Sequence, residues 1–255
     1  MSSTIISQEI QPLLRKIVRV IEKSIGEDIR DYKMLMHKET NNAIPHMRGD
    51  NINTNLREYV VSDTVELKHF KRGGWEGCLL VDREHKITFT IMTERTLAYI
   101  PKVKGRQRPH YLQTLVYVLN GGVEAPVKQM HLSDYDKQFL TDFSEEEYID
   151  DFHEIMDDEL NTEEYCHYVV VYASERMQIT SIALKYLDKD LDTIQEISLM
   201  DYVQLDFAQL TENESGKLKQ IKDAHSLVSV KKGIDKGEAG KNVVIRPKEN
   251  ERSEA

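Results

Sequence analysis

WEGCLLVDREHKITFTIM, residues 75–92, is the stretch that decides the fold. Two apolar runs flank the polar tetrapeptide DREH, and Ile87, Phe89 and Ile91 alternate with other residues in the second run. A period of two places these three side chains on one face of a strand. The stretch therefore predicts a β-hairpin with one face turned towards the core.

Further strands are predicted on both sides of this hairpin. Downstream, apolar runs at 165–173 and 177–187 predict a second hairpin, and 193–200 is typical of an additional strand. Upstream, alternation of apolar and polar residues predicts a strand over 59–67. The apolar segment TLAYI, 96–100, predicts another strand after the first hairpin.

Helical periodicity marks the remaining elements. Apolar residues recur at helical spacing over about 7–25 and continue to Met36, which predicts two N-terminal helices. HYLQTLVYVLN, 110–120, predicts a third helix that Gly121 and Gly122 end. DFSEEEYIDDFHEIMDDELNTEE, 142–164, contains no Lys or Arg and predicts a strongly acidic amphipathic helix.

These elements predict an α+β fold, in which N-terminal helices pack on a mainly antiparallel sheet made of hairpins. We assign residues 1–225 to a single domain, with sub-lobes 1–125 and 126–225 as a subdivision left open. The last segment, 226–255, has little apolar content, several glycines and mixed charge. That composition predicts a disordered C-terminal tail.

Composition limits the classes of function. The chain has 255 residues and a formal net charge of −10, which argues against a protein that coats DNA non-specifically. Its two cysteines, Cys78 and Cys166, lie in apolar runs and are typical of buried thiols in a reducing compartment. We read no signal peptide and no apolar run near the roughly 20 residues of a membrane helix, so we expect a soluble, cytoplasmic protein.

Two short motifs resemble metal sites but lack essential residues, and a third, complete tripeptide is a coincidence in a cysteine-poor chain without a signal peptide. DKDLDTIQEISL, 188–199, begins like a calcium loop but has Thr193 and Leu199 where glycine and glutamate are needed. HEIMD, 153–157, has Asp157 in place of the second histidine of a zinc helix. RGD at 48–50 is an adhesion tripeptide of extracellular ligands. We therefore predict no metal site and no cofactor.

A basic segment, PKVKGRQRPH at 101–110, is the densest local positive charge. It carries five basic residues on even positions: Lys102, Lys104, Arg106, Arg108 and His110. In an extended segment, alternate side chains share a face about 6.6–7 Å apart, close to the separation of successive phosphates. Pro101 and Pro109 favour extended backbone before them. The segment thus predicts a cationic row that contacts phosphates.

The amide-rich segment NNAIPHMRGDNINTNLREYV, 41–60, is predicted to form a polar wall opposite this row. Candidate ligand-binding residues are Asn42, Arg48, Asp50, Asn53, Arg72, Lys104, Arg106 and Arg108. Each of His46 and His110 could titrate near neutral pH, and together they are the candidate acid and base for metal-independent cleavage of RNA. Trp75, which follows Arg72, is a further candidate, because the indole ring could stack on a base.

These patterns favour a cytoplasmic protein that binds a phosphate-bearing ligand. Single-stranded RNA or DNA is the first hypothesis for that ligand. Whether it is an enzyme stays open. A structural reading makes 41–57 an ordered loop and the cationic row a guarded edge strand or the ion-pair partner of 142–164. An alternative of another class is an acidic adaptor or inhibitor, which docks on a basic protein or mimics nucleic acid through 142–164.

Overall fold

The computed structural model describes residues 8–37, 39–103, 105–123, 143–156 and 164–204. These residues form six α-helices, Gln11–Ile25 (α1), Glu27–Met36 (α2), Ile44–Tyr59 (α3), Glu94–Tyr99 (α4), Tyr111–Asn120 (α5) and Glu145–Met156 (α6). They also form six strands, Val65–Arg72 (β1), Trp75–Asp82 (β2), Ile87–Thr93 (β3), Cys166–Glu175 (β4), Gln178–Leu187 (β5) and Thr193–Ser198 (β6). The α+β prediction is confirmed.

All six strands belong to one sheet, in the order β1-β2-β3-β4-β5-β6. Both predicted hairpins are present, and each is part of an antiparallel three-stranded meander. The meanders join through β3 and β4, which run parallel. A parallel pair needs a long crossover, and the chain makes it through α4, α5 and α6.

Helices cover both faces of the sheet. On one face, α1 and α3 share a core cluster with Leu80, Tyr168 and Val170. On the other face, α5 packs against Val169 and Val171. Successive side chains of a strand point to opposite faces, so a strand covered on both sides needs a continuous apolar run. The run VVV at 169–171 meets this need.

The helix α1 has the apolar stripe that the periodicity predicted. Leu14, Ile17 and Ile21 are buried, and Pro12 lies in the first turn, where its missing N–H leaves no intrahelical bond unmade. Acidic residues in the first turn of α2 match the prediction of a second helix. The helices over 110–120 and within 142–164 are also confirmed, as α5 and α6.

The amide-rich segment is helical, so its prediction as a loop was wrong. Ile52, Leu56 and Val60 recur every four residues and are buried in the cluster with α1. The amide of Asn55 is buried and donates to Ser24 Oγ at 2.8 Å and Asp28 Oδ2 at 2.6 Å. A buried amide with two acceptors is stabilising, which offsets the poor helix propensity of asparagine.

Two strand predictions were also wrong. The segment 96–100 lies in α4 and the turn after it, because Thr93 caps the helix by accepting the Thr96 N–H at 3.1 Å. The strand predicted over 59–67 begins only at Val65, since Tyr59 still belongs to α3. The predicted tail, 226–255, and the end of the acidic segment, 157–163, lie outside the described residues.

A buried histidine links the two meanders. His167 on β4 is fully buried, with Nδ1 2.8 Å from Thr88 Oγ1 and Nε2 3.0 Å from Thr90 Oγ1 on β3. Burial lowers the pKa of His167 to about 3. The ring is therefore neutral in the folded protein at pH values where an unfolded chain would hold a proton.

We expect His167 to make stability depend on pH. Between about pH 3 and pH 6.5 the unfolded state binds the extra proton, so the free energy of unfolding falls as the pH is lowered. The limit for this one group is about 1.4 kcal/mol per pH unit. Urea unfolding at several pH values should give a shallower dependence for His167→Gln. His46→Gln, which replaces an exposed histidine, is the control. Equal slopes of the free energy of unfolding against pH for the unchanged protein and both variants would contradict the role assigned to His167.

Candidate functional site

The two predicted site segments lie on opposite faces of the sheet. α3 contains His46 and packs with α1 on one face, whereas α5 follows His110 and packs on the other. The amide-rich segment is therefore no wall opposite the basic segment. His46 and His110 do not form an acid–base pair, and that prediction was wrong.

The predicted residues around α3 have other surroundings. Asn42 and Asp50 are exposed, and Asn53 is half-buried on the helix. Arg48 reaches the end of β4, where its Nη1 lies 3.4 Å from Ser174 Oγ. Its Nε has no hydrogen-bond partner among the described residues, but it lies away from the basic segment.

The basic segment is not an extended ribbon. Ile100–Lys102 is a short 3-10 turn, and Gly105 has φ of +69°, a conformation that glycine adopts readily. Lys104 lies outside the described residues. The turn and the glycine interrupt the extended backbone, so alternate side chains do not share one face. The predicted cationic row was therefore wrong.

Three predicted cations nevertheless line one cleft. Arg106 and Arg108 come from the basic segment, and Arg72 comes from the end of β1. The cleft has a volume of about 440 Å³, and its remaining lining residues are Trp75, Gln107, Pro109, His110 and Tyr111. This volume lies in the usual range of small-molecule sites. The fold therefore gathers Arg72, Arg106, Arg108 and His110 but leaves the α3 residues apart.

Arg72 is held by the acidic helix α6. Its side chain is 9% exposed and forms an ion pair with Asp151, which is 5% exposed. Asp151 also accepts a hydrogen bond from Thr114 Oγ1 on α5, and Arg72 Nη2 donates to the Pro109 carbonyl at 2.8 Å. This arrangement ties β1, α5 and α6 together at the cleft.

Arg108 also contacts α6. Its Nη1 lies 2.8 Å from Glu154 Oε2 and 3.7 Å from Asp151 Oδ1. The structural alternative, in which the basic segment pairs with the acidic block, is thus confirmed for Arg108. The side chain stays 42% exposed, so solvent or a ligand reaches its guanidinium.

Arg106 is the least satisfied cation of the cleft. Its Nη2 donates to the Ile100 carbonyl at 3.3 Å, and it forms no ion pair within the described ranges. Burial lowers the pKa of Arg106, and the positive charge of Arg72 lowers it further. The Nε atoms of Arg72 and Arg106 are buried without a hydrogen-bond partner in the described chain. A buried donor without a partner is costly.

His110 has a structural role at the start of α5. Its Nδ1 accepts the Leu112 N–H at 3.2 Å, while its own N–H donates to Gln113 Oε1 at 2.9 Å, which together form a capping box. Burial lowers the pKa of His110 to about 3, and the charges of Arg106 and Arg72 act in the same direction. At neutral pH His110 is uncharged, and the lone pair of Nδ1 is already used.

An aromatic group forms the other wall of the cleft. The Trp75 ring stacks on Tyr111, with centroids 5.2 Å apart and planes at 22°, and forms a T-shaped pair with Phe70 at 5.8 Å. Trp75 is 49% exposed, unlike the buried Phe70. The sequence predicted Trp75, which follows Arg72, as a second candidate for base stacking. It did not show which rings Trp75 contacts.

Gly77 provides the space for these rings. A Cβ built on it would lie 2.5 Å from Phe70 Cζ and 2.6 Å from Trp75 Cη2. We expect Gly77→Ala to displace the rings and lower the free energy of unfolding by about 1–3 kcal/mol. Because Trp75 is the only tryptophan of the chain, its emission spectrum should shift as well.

The exposed Gly74→Ala is the matched control, since a Cβ there meets no atom within 4 Å. Gly74→Ala should keep the emission of the unchanged protein. A Gly77→Ala variant with wild-type stability and emission would contradict the described packing of the rings.

The exposed face of α6 is acidic. Glu145, Glu146, Glu147 and Asp150 are exposed beside the half-exposed Ile149. The other two acidic residues of the helix, Asp151 and Glu154, contact the arginines of the cleft. The acidic helix therefore has one side committed to the cleft and one side open to solvent.

Other candidate sites have structural explanations. Asp188 of the calcium-like segment accepts the N–H groups of Asp190 and Asp192 at 3.0 and 2.8 Å, as in a tight turn. The described residues contain no group of three or more potential metal ligands of the His, Cys, Asp or Glu type. Among the same residues, no helix combines the length and apolarity needed to cross a membrane.

Comparison with known proteins places the chain in a family. Neither the curated proteins nor the solved structures contain a significant match to it. The model of a family of unknown function, DUF5986, matches residues 7–245, nearly the whole sequence. The described fold and cleft lie within this match. The chain therefore belongs to the DUF5986 family.

Proposed function

We propose that this protein binds a phosphate-bearing ligand in the cleft, and that single-stranded RNA or DNA is the ligand class. One observation carries the proposal: the side chains of three arginines line one cleft, and among the described residues Arg106 has no carboxylate partner. A planar guanidinium presents paired donors that match phosphate oxygens, which supports this choice of ligand.

The charge distribution supports binding at one place. The whole chain carries −10, so a polyanion is repelled from most of its surface. At the cleft, Arg72 and Arg108 have carboxylate partners, whereas Arg106 has none in the described residues. An incoming phosphate would supply the missing negative charge next to Arg106.

Binding without catalysis is the function that the cleft favours. His110 is neutral at neutral pH and caps α5, so it has no free proton-accepting nitrogen at Nδ1. His46 lies on the opposite face of the sheet. Cleavage of RNA would need a different acid and base from those that the sequence suggested.

A pair of matched arginine variants tests the proposal. Arg108 and Arg83 each form an ion pair with a glutamate, and their side chains are 42% and 44% exposed. Arg108 also lies 3.7 Å from Asp151 Oδ1. Arg83 follows β2 and does not line the cleft. We expect Arg108→Gln to weaken the binding of a fluorescently labelled single-stranded oligonucleotide about 3–10-fold, as loss of a partly screened charged hydrogen bond implies. Arg83→Gln should stay within about twofold.

The salt dependence of binding gives a second readout of the same pair. Each phosphate that a protein neutralises on a single strand contributes about 0.7 to the slope of log affinity against log salt. Arg108→Gln should reduce that slope, whereas Arg83→Gln should not. Equal losses of affinity in both variants, or no binding by the unchanged protein, would contradict the proposal.

The exposed acidic face of α6 favours a second candidate, an adaptor that docks on a basic protein. The observation that favours it is a group of four exposed acidic residues around the exposed Ile149, none of which lines the cleft: Glu145, Glu146, Glu147 and Asp150. Neutralising Glu145, Glu146 and Asp150 would abolish such docking and leave oligonucleotide binding unchanged.

Both functions suit a cytoplasmic location, which we propose because Cys78 and Cys166 are free thiols.

A further inference from the structure

The orientation of Trp75 is fixed by its neighbours. Tyr111 stacks on one face of the indole at 5.2 Å, and the Phe70 ring lies at 66° to it with centroids 5.8 Å apart. Phe70 and Tyr111 also contact each other, with centroids 5.5 Å apart. Three rings in mutual contact hold one another in place, so the indole needs little ordering when a ligand arrives.

Part of the indole remains open to solvent. Tyr111 stacks on one face, and 49% of the Trp75 surface is exposed. Trp75 lines the same cleft as Arg72, Arg106 and Arg108. A large exposed aromatic ring beside a group of cations is typical of proteins that stack one base and hold the adjoining phosphate.

We infer that the cleft takes one unpaired nucleotide, with its base stacked on the exposed part of the Trp75 ring and its phosphate on Arg106 and Arg72. This inference rests on the proposed function and adds the base to the phosphate. The cleft volume of about 440 Å³ suits a single nucleotide, which a free nucleotide or a single strand could supply. Bases within a duplex already stack on both sides and could enter only after unstacking.

The test compares ligands with the same phosphates but different bases. Short labelled oligonucleotides of thymidine are titrated against the full-length protein, beside abasic oligonucleotides of equal length and a duplex of equal length. Stacking of one base stabilises a complex by about 1–3 kcal/mol, so the abasic oligonucleotide should bind about tenfold more weakly or worse. The thymidine oligonucleotide should also quench the fluorescence of the single tryptophan, Trp75. The duplex should bind more weakly than the single strand.

Two variants separate the effect of the Trp75 ring on binding from an effect on folding. Trp75→Phe keeps an aromatic face and should retain most of the preference for the thymidine oligonucleotide. Trp75→Leu should lose that preference and bind the thymidine and abasic oligonucleotides with similar affinity. Affinity is read from the anisotropy of the labelled ligand, so it does not depend on the tryptophan signal. If Trp75→Leu fails to fold, the comparison of thymidine and abasic ligands on the unchanged protein decides alone.

The outcomes distinguish the inference from the proposed function. Equal binding of abasic and thymidine oligonucleotides would overturn the inference and leave phosphate binding intact. Absence of binding by every oligonucleotide would overturn both. Competition by thymidine monophosphate as strong as that of the oligonucleotide would support the inference and identify a free nucleotide as the source. Much weaker competition would support it with a single strand as the source.

Discussion

Replacement of Asp151 by alanine is expected to lower the free energy of unfolding by about 3–5 kcal/mol. The Asp151 carboxylate is 5% exposed and accepts from Arg72 and from Thr114 Oγ1. Its removal leaves the Arg72 guanidinium buried without its counter-charge, which is the costly way to break a buried ion pair. Urea unfolding followed by far-UV circular dichroism measures the effect.

Glu154→Ala is the control for Asp151→Ala on the same helix. Glu154 pairs with Arg108 at 2.8 Å, but both side chains are exposed, so its loss should change stability by less than about 1 kcal/mol. If Asp151→Ala also costs less than 1 kcal/mol, the Arg72–Asp151 pair does not hold β1, α5 and α6 together. The origin of the arginine cleft would then need another explanation.

Arg106→Gln is expected to weaken ligand binding about 10–100-fold without lowering stability. The loss corresponds to charged hydrogen bonds of about 1.5–3 kcal/mol that the ligand would make with this side chain. Stability should be unchanged or increased, because the guanidinium is half-buried and has no carboxylate partner in the described residues. Opposite effects on binding and stability are typical of residues kept for function.

Binding of the labelled single-stranded oligonucleotide and urea unfolding should be measured on the same preparation of Arg106→Gln. The variant Arg83→Gln serves again as the matched control, since it removes an arginine outside the cleft. Destabilisation of Arg106→Gln together with unchanged binding would show that Arg106 supports the loop before α5 and does not contact the ligand.

Sequence patterns predicted most of the sheet because strand signals are local. Alternation around Phe89 and the apolar runs on both sides of DREH are sufficient for a hairpin. α3 was missed because asparagines, Gly49 and Pro45 are turn formers, and they obscured the spacing of Ile52 and Leu56. The burial of that face depends on α1, which local patterns do not include.

The site was predicted only in part for a related reason. The sequence predicted phosphate binding by Arg72, Arg106 and Arg108, but it grouped them with α3. Their actual grouping depends on strand register, which places Arg72 opposite Trp75, and on α6, whose Asp151 holds Arg72. The extended geometry of 101–110 failed at Gly105, whose φ of +69° turns the chain.

The central claim is that a phosphate bound in the cleft contacts the guanidinium groups of Arg72 and Arg106. NMR of the arginine Nε–H groups in the full-length protein tests it most directly, as a short single-stranded oligonucleotide of thymidine is added. We predict that the Arg72 and Arg106 signals move downfield and exchange more slowly with water, while the Arg83 signal stays in place. Unchanged Arg72 and Arg106 signals at saturating ligand, or equal movement of the Arg83 signal, would contradict the claim.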